Sequence, residues 1–167
     1  MNSHATRTFR ASLCTLGAIL ALGFSAPAAE AQQRPAMRWV PAHSSNYTAR
    51  SSRSIRRIVI HTIEGSEGAG ISWFQNRRAN VSAHYVVAHS GRITQMLRDS
   101  DRGWHAGVSS WNADSIGIEN EGYAGRNGWT NAQYRSLAAL VRHLTDRYQI
   151  PVNRTRIVGH SEVRSGK

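Results

Sequence analysis

Two histidines close short apolar runs of similar make-up. His61 ends "RRIVIH" and His160 ends "TRIVGH". A histidine at the end of a buried strand points into the crevice where sheet proteins place ligands. If the two strands are neighbours, both imidazoles reach one ion. Two neutral imidazoles and a carboxylate leave a fourth position on zinc open for water, the arrangement of catalytic sites. The spacing alone suits two hydrogen-bonded core histidines equally well. Glu119 adds to the first reading. It stands in "SIGIENEG", an apolar strand in which a carboxylate is costly unless it is paired or reacts. By alternation it lies opposite Ile116 and Ile118 and on the same face as Gly117 and Glu121. From there it can act as a general base; a salt bridge to one of the many arginines is the structural alternative.

The elements that must carry these residues are readable in outline. "RRIVIHT" predicts a buried strand, "EGSEGAG" a loop, and "ISWFQNRRA" a short helix with Ile71 and Phe74 on one face. "SAHYVVAHSGRITQML" predicts a hairpin, with strands at Tyr85–Val87 and Ile93–Leu97 and a turn at Ser90-Gly91. "DSDRGWHAGVSSWNAD" reads as a loop, "SIGIENEG" as a strand and "RTRIVGH" as the last strand. A longer helix begins at Thr130, with Gln133 completing a capping box. Tyr134, Leu137, Ala138, Val141 and Leu144 form its apolar stripe. Strands and helices in mixed order predict an α/β fold, a single domain with a mixed central sheet flanked by helices.

The remaining sequence sets the context. Arg7 and Arg10 precede the apolar "LCTLGAILALGFSA", and Ala29-x-Ala31 supplies small residues for cleavage before Gln32. Residues 1–31 therefore read as a secretory signal peptide, too short in its apolar part for a membrane span. Leu13 before Cys14 argues against a lipoprotein. Residues 32–54 read as a linker and N-terminal arm, ordered near Trp39 to Tyr47, and residues 55–167 as the main domain. Cys14 is the only cysteine, so the processed chain has neither disulfides nor thiolate ligands. Removing residues 1–31, with two arginines and one glutamate, takes the totals from 21 basic and 10 acidic to 19 and 9, a net charge of +10. That balance favours polyanionic surroundings. No nucleic-acid-binding signature accompanies it, and for an exported protein an anionic wall or membrane surface is the expected partner, without stable membrane insertion after cleavage. His43 and His143 read as surface residues and His89 as a turn residue, which leaves His84 and His105 for the site.

Five segments, "IVIHT", "VSAHYVV", "WHAG", "SIGIENEG" and "IVGHSEV", occur in this order. Together they resemble the type-2 N-acetylmuramoyl-L-alanine amidase family, which includes phage lysins and is related to peptidoglycan recognition proteins. The resemblance covers about Arg57 to Lys167, and the arm "WVPAHSSNY" is similar to that of secreted bacterial members. It implies a secreted zinc hydrolase acting on peptidoglycan or muropeptides, cleaving the amide between the lactyl group of N-acetylmuramic acid and L-alanine. His61 and His160 match the two histidine ligands of Zn2+, and Glu119 matches the acidic residue that activates the attacking water. His105, Trp104 and Asn112 match the substrate groove, and His84 a hydrogen-bonded residue behind the ligands. Lys167 stands near the place of the cation that stabilises the oxyanion. In relatives a D-P-G segment with a third ligand, commonly Asp, follows "GHSEV" or "GHSDV". This sequence stops before it, so the expectation is a C-terminally incomplete domain with a third ligand outside the sequence. The alternative from another functional class is a non-catalytic peptidoglycan-binding module.

Overall fold

Among the described residues, strands β1 (Met37–Trp39), β2 (Tyr47–Ala49), β3 (Arg57–Thr62), β4 (Tyr85–Val87), β5 (Ile93–Gln95), β6 (Asp101–Gly103), β7 (Ser115–Asn120) and β8 (Ile157–Gly159) are joined by helices α1 (Glu67–Gln75), α2 (Ser109–Asp114) and α3 (Asn131–Tyr148). The structure is a computed structural model, and it describes residues 34–51, 54–126 and 128–163. The expected signal peptide and Lys167 lie outside the described residues.

Six strands form one mixed sheet in the order β1-β5-β4-β7-β3-β8. Strands β4, β7, β3 and β8 run parallel, while β5 is antiparallel to β4 and parallel to β1. β2 and β6 form a separate antiparallel ribbon. The β-branched runs of β3 and β7 occupy adjacent places inside the sheet, where both faces are covered, as parallel strands require. On one face Ile58, Ile116, Ile118 and Val87 pack against Leu137, Leu140 and Leu144 of α3. On the other, Val86 packs with Ile71 and Phe74 of α1, and Val59 with Val158, Ala106 and Val163. Helix α3, sheet and α1 thus make three layers. Truncating a core residue such as Leu140 to Ala costs about 2–5 kcal/mol in sites of this kind.

Several sequence expectations change in detail. Helix α1 begins at Glu67, inside the segment read as a loop: Ser66 caps it by accepting from Ala69 N–H, and the cap outweighs the low helix propensity of Gly68 and Gly70. The segment 99–114, read as a loop, contains β6 and α2. In α3 the Thr130 hydroxyl accepts from Gln133 N–H at 3.1 Å, but the Gln133 side chain does not return to close a capping box. It is buried and donates to the carbonyls of Val87 and Glu121 at 3.2 and 2.9 Å. The buried stripe is Gln133, Leu137, Leu140 and Leu144. Tyr134, 55% exposed, and Ala138 face solvent. The arm is part of the fold: β1 pairs with β5 and β2 with β6.

Candidate active site

Parallel register brings the predicted residues together. His61 is the penultimate residue of β3 and Glu119 the penultimate residue of β7, and the two are direct register partners. In-register residues on neighbouring parallel strands point to the same face. His61 Nδ1 lies 3.8 Å from Glu119 Oε1. β8 flanks β3 on its other side, and His160, next after β8, opens a 3-10 turn at His160–Glu162. Its ring centroid is 4.4 Å from that of His61. Two imidazoles and a carboxylate thus converge at the C-terminal ends of three strands, on the face away from α3.

The surroundings set their charge. Burial, aided by the proximity of His160, pushes the pKa of His61 down to about 3, so His61 is neutral at ordinary pH. Neutral imidazole is the form that ligates metals. Burial, aided by the negative charge of Glu64, pushes the Glu119 carboxyl up to about 7. Its side chain is 14% exposed, and Oε2 is buried without a hydrogen-bond partner. Among the described residues no group of three or more His, Cys, Asp or Glu side chains is arranged to hold a metal ion.

A cavity of about 480 Å³ opens over these groups, lined by His61, Glu64, Trp73, Trp104, Glu119 and His160 among others. Trp104 therefore borders the cleft. Trp73 was not singled out in the sequence, yet it is 51% exposed and faces the cavity. The signal was present: placing Ile71 and Phe74 on the buried face of α1 leaves Trp73 outside. Asn120 was also missed. It is fully buried, and its amide donates to the carbonyl of His61 at 3.0 Å, tying the end of β3 to β7.

His105 also lines this cavity, and Asn112 lines a neighbouring pocket together with Trp104, His105 and His160. Asn112 is buried, and its Oδ1 accepts the N–H groups of His105 and Ala106 at 3.2 and 2.8 Å, which holds the "WHAG" loop in place. His105 is buried, with Nδ1 3.1 Å from His61 Nε2 and Nε2 3.4 Å from Ser115 Oγ. His84 is fully buried. Its Nδ1 accepts the N–H of Gly117 at 3.1 Å, so Nε2 carries the proton and donates to the carbonyl of Asp101 at 3.1 Å. Burial, followed by the charge of Arg50, takes its pKa down to about 4. Arg50 itself donates to the carbonyls of Asp99, Ala113 and Ser115 and so links the loop after β5 to the segment joining α2 and β7.

A mixed sheet thus carries two imidazoles and a carboxylate at its strand ends, beneath one cavity. The family model described as N-acetylmuramoyl-L-alanine amidase, Amidase_2, matches residues 51–167, and the chain belongs to that family. One relative, N-acetylmuramoyl-L-alanine amidase A of Achromobacter lyticus, is 43% identical over 111 residues, 65% of this chain and 61% of that protein. The 1,6-anhydro-N-acetylmuramyl-L-alanine amidase AmpD of Haemophilus influenzae is 42% identical over 89 residues, 50% of this chain and 47% of that protein. A solved structure of an AmpD derivative matches at TM-score 0.65 and 30% identity, covering 77% of this chain and 83% of the other. The structure of PlyL, at TM-score 0.63 and 20% identity, shares the fold, covering 80% and 85%. The chain spans about half to three-fifths of the length of these curated relatives. Among the described residues no helix is long and apolar enough to cross a membrane.

Proposed function

We propose that this chain is a secreted, zinc-dependent hydrolase that cleaves the amide between the lactyl group of N-acetylmuramic acid and L-alanine in peptidoglycan. The observation that carries this reading is the convergence of His61, His160 and the carboxylate of Glu119, whose Oε2 lacks a hydrogen-bond partner, beneath one open cleft. The donor set suits zinc: borderline-soft Zn2+ takes imidazole nitrogen readily, and Nδ1 of buried, neutral His61 faces Glu119 and not a protein hydrogen bond. His61 and His160 would hold the ion. When bound, zinc supplies Lewis-acid polarisation of the scissile carbonyl.

The chain's own groups supply the rest. Glu119 accepts a proton from the attacking water as its oxygen adds to the lactyl carbonyl carbon. The carbon–nitrogen bond then breaks, and Glu119 returns the proton to the leaving nitrogen of L-alanine, giving a lactyl carboxylate and a free amine. A carboxyl with a pKa near 7 is suited to both transfers at neutral pH. Trp73 and Trp104, which both line the cleft, offer apolar faces to sugar and stem peptide. The basic charge of the chain favours retention at an anionic wall. The test is release of L-alanine amino groups from purified peptidoglycan by the zinc-loaded chain. Release that depends on zinc and on Glu119 is expected. Folded, zinc-loaded protein that binds muropeptides without releasing amines would instead identify a wall-binding module.

A further inference from the structure

His105 borders the cavity, yet it is buried and both of its nitrogens face protein groups. The direction of the hydrogen bonds around it follows from the far end. Ser115 Oγ lies 2.5 Å from the carbonyl oxygen of Trp111. A carbonyl only accepts, so the hydroxyl proton of Ser115 is committed there. Ser115 Oγ must then accept from His105, which places the His105 proton on Nε2. Neutral His105 therefore has a bare Nδ1, 3.1 Å from His61 Nε2. That nitrogen of His61 must donate. The chain runs from His61 Nε2–H to His105 Nδ1, from His105 Nε2–H to Ser115 Oγ, and from Ser115 O–H to Trp111 O.

The ring's seat is equally specific. A Cβ on Gly117 would lie 2.4 Å from His105 Cγ and 2.7 Å from both Cδ2 and Nδ1, so only glycine at this place in β7 leaves room for the imidazole. From beneath, Arg50 donates to Ser115 O at 2.9 Å and His84 accepts from Gly117 N–H, which fixes the backbone at both residues.

We propose that His105 is a positioning residue that locks His61 in one tautomer, with the proton on Nε2 and a bare Nδ1 presented beside Glu119 and His160 as the metal-ligating atom. This rests on the reading of His61 as a ligand. Partners of this kind raise metal affinity by orienting the ring and fixing its tautomer.

The test begins with the metal-free chain, where long-range proton–nitrogen correlation spectra of labelled histidine report the tautomer of His61 directly. Protonated Nε2 and bare Nδ1 are expected; the opposite tautomer overturns the proposal. Zinc affinity, measured by competition with a chelator, is then compared among variants. His105→Ala should weaken it about 10–100-fold and allow both His61 tautomers. His105→Asn places Oδ1 where Nδ1 stood, so it should keep the tautomer and an affinity close to that of the parent. An affinity and tautomer unchanged in His105→Ala, or an Asn variant as impaired as Ala, would mean that the ring only fills space. The parent's failure to bind zinc would instead refute the metal reading, while the tautomer measurement still decides the role of His105.

Discussion

Two glutamates are largely withdrawn from water, and the molecule treats them in opposite ways. Glu67 opens α1 and is 5% exposed. Its carboxylate accepts from Thr94 Oγ1 and Arg38 at 3.0 Å each and is also clamped by Arg92. Burial pushes its pKa up, but the hydrogen bonds from Arg92 and Thr94 and the charge of Arg38 outweigh this and hold the carboxyl below its usual value. Glu119 has no such clamp. It faces the neutral ring of His61, burial and the charge of Glu64 push its pKa up, and one oxygen is unpartnered. Burial alone therefore does not mark a reactive carboxylate. What separates the two is whether the protein has spent cations and donors on them.

The sharpest test of this contrast is on activity. Glu119→Gln should lower amide hydrolysis by about 10²–10⁴-fold, the usual worth of general-base assistance, with zinc content unchanged. Glu67→Gln should leave the rate per folded molecule near that of the parent. A comparable loss in both would break the distinction.

Next in size is stability. Folding raises the Glu119 carboxyl from 4.5 to about 7. A carboxyl raised on folding stabilises the native state below its unfolded pKa, and that advantage is lost as pH rises through the folded value. In the metal-free chain Glu119→Gln should therefore increase stability at pH 8, by up to roughly 3 kcal/mol, and have little effect at pH 4. Thermal unfolding at the two pH values measures it.

Glu67→Gln should act in the reverse sense and less strongly, because both arginines are about half in solvent. A loss of roughly 1–2 kcal/mol is expected at pH 7. Its carboxyl is depressed on folding, so this contribution is present above the unfolded value of 4.5 and lost as pH falls through the lower folded value. The smallest effect is on titration itself. Glu64→Gln removes the charge that adds to burial in raising Glu119, and the Glu119 titration of the metal-free chain, followed by carboxyl NMR, should move to lower pH.

Much of this was legible in the sequence because it follows short periods. The alternation of "SIGIENEG" separates Glu119 from Ile116 and Ile118, and the structure keeps that separation. The β-branched runs mark β3 and β8, and Thr130 marks the start of α3. Less was legible where long-range partners decide. Gln133 reads as half of a local cap, but two carbonyls from distant segments claim its amide. Helix α1 was read four residues too late because Gly68 and Gly70 count against a helix locally, and nothing near Asp99 gave a sign that Arg50 would reach it. The roles of Asn112 and His105 depend on which atoms their side chains meet, and no spacing in the sequence encodes that.

β8 gives the site a further property. It is three residues long and, among the described residues, lies at the edge of the sheet and pairs with β3 alone. The ring of His160 leaves directly from its end, whereas His61 and Glu119 stand on strands inside the sheet. Short edge strands open locally at far lower free energy than the whole domain. An opening of β8 would carry one imidazole away and leave the other two groups in place, so the complete constellation would exist only while the edge is closed. An ion held between the two rings would bind the closed state alone. At 100 times its dissociation constant it would favour closure by about 2.7 kcal/mol. Amide hydrogen exchange would register this as slowing at the β3–β8 seam, including the Ile58 N–H to Arg156 carbonyl bond, with little change between β3 and β7.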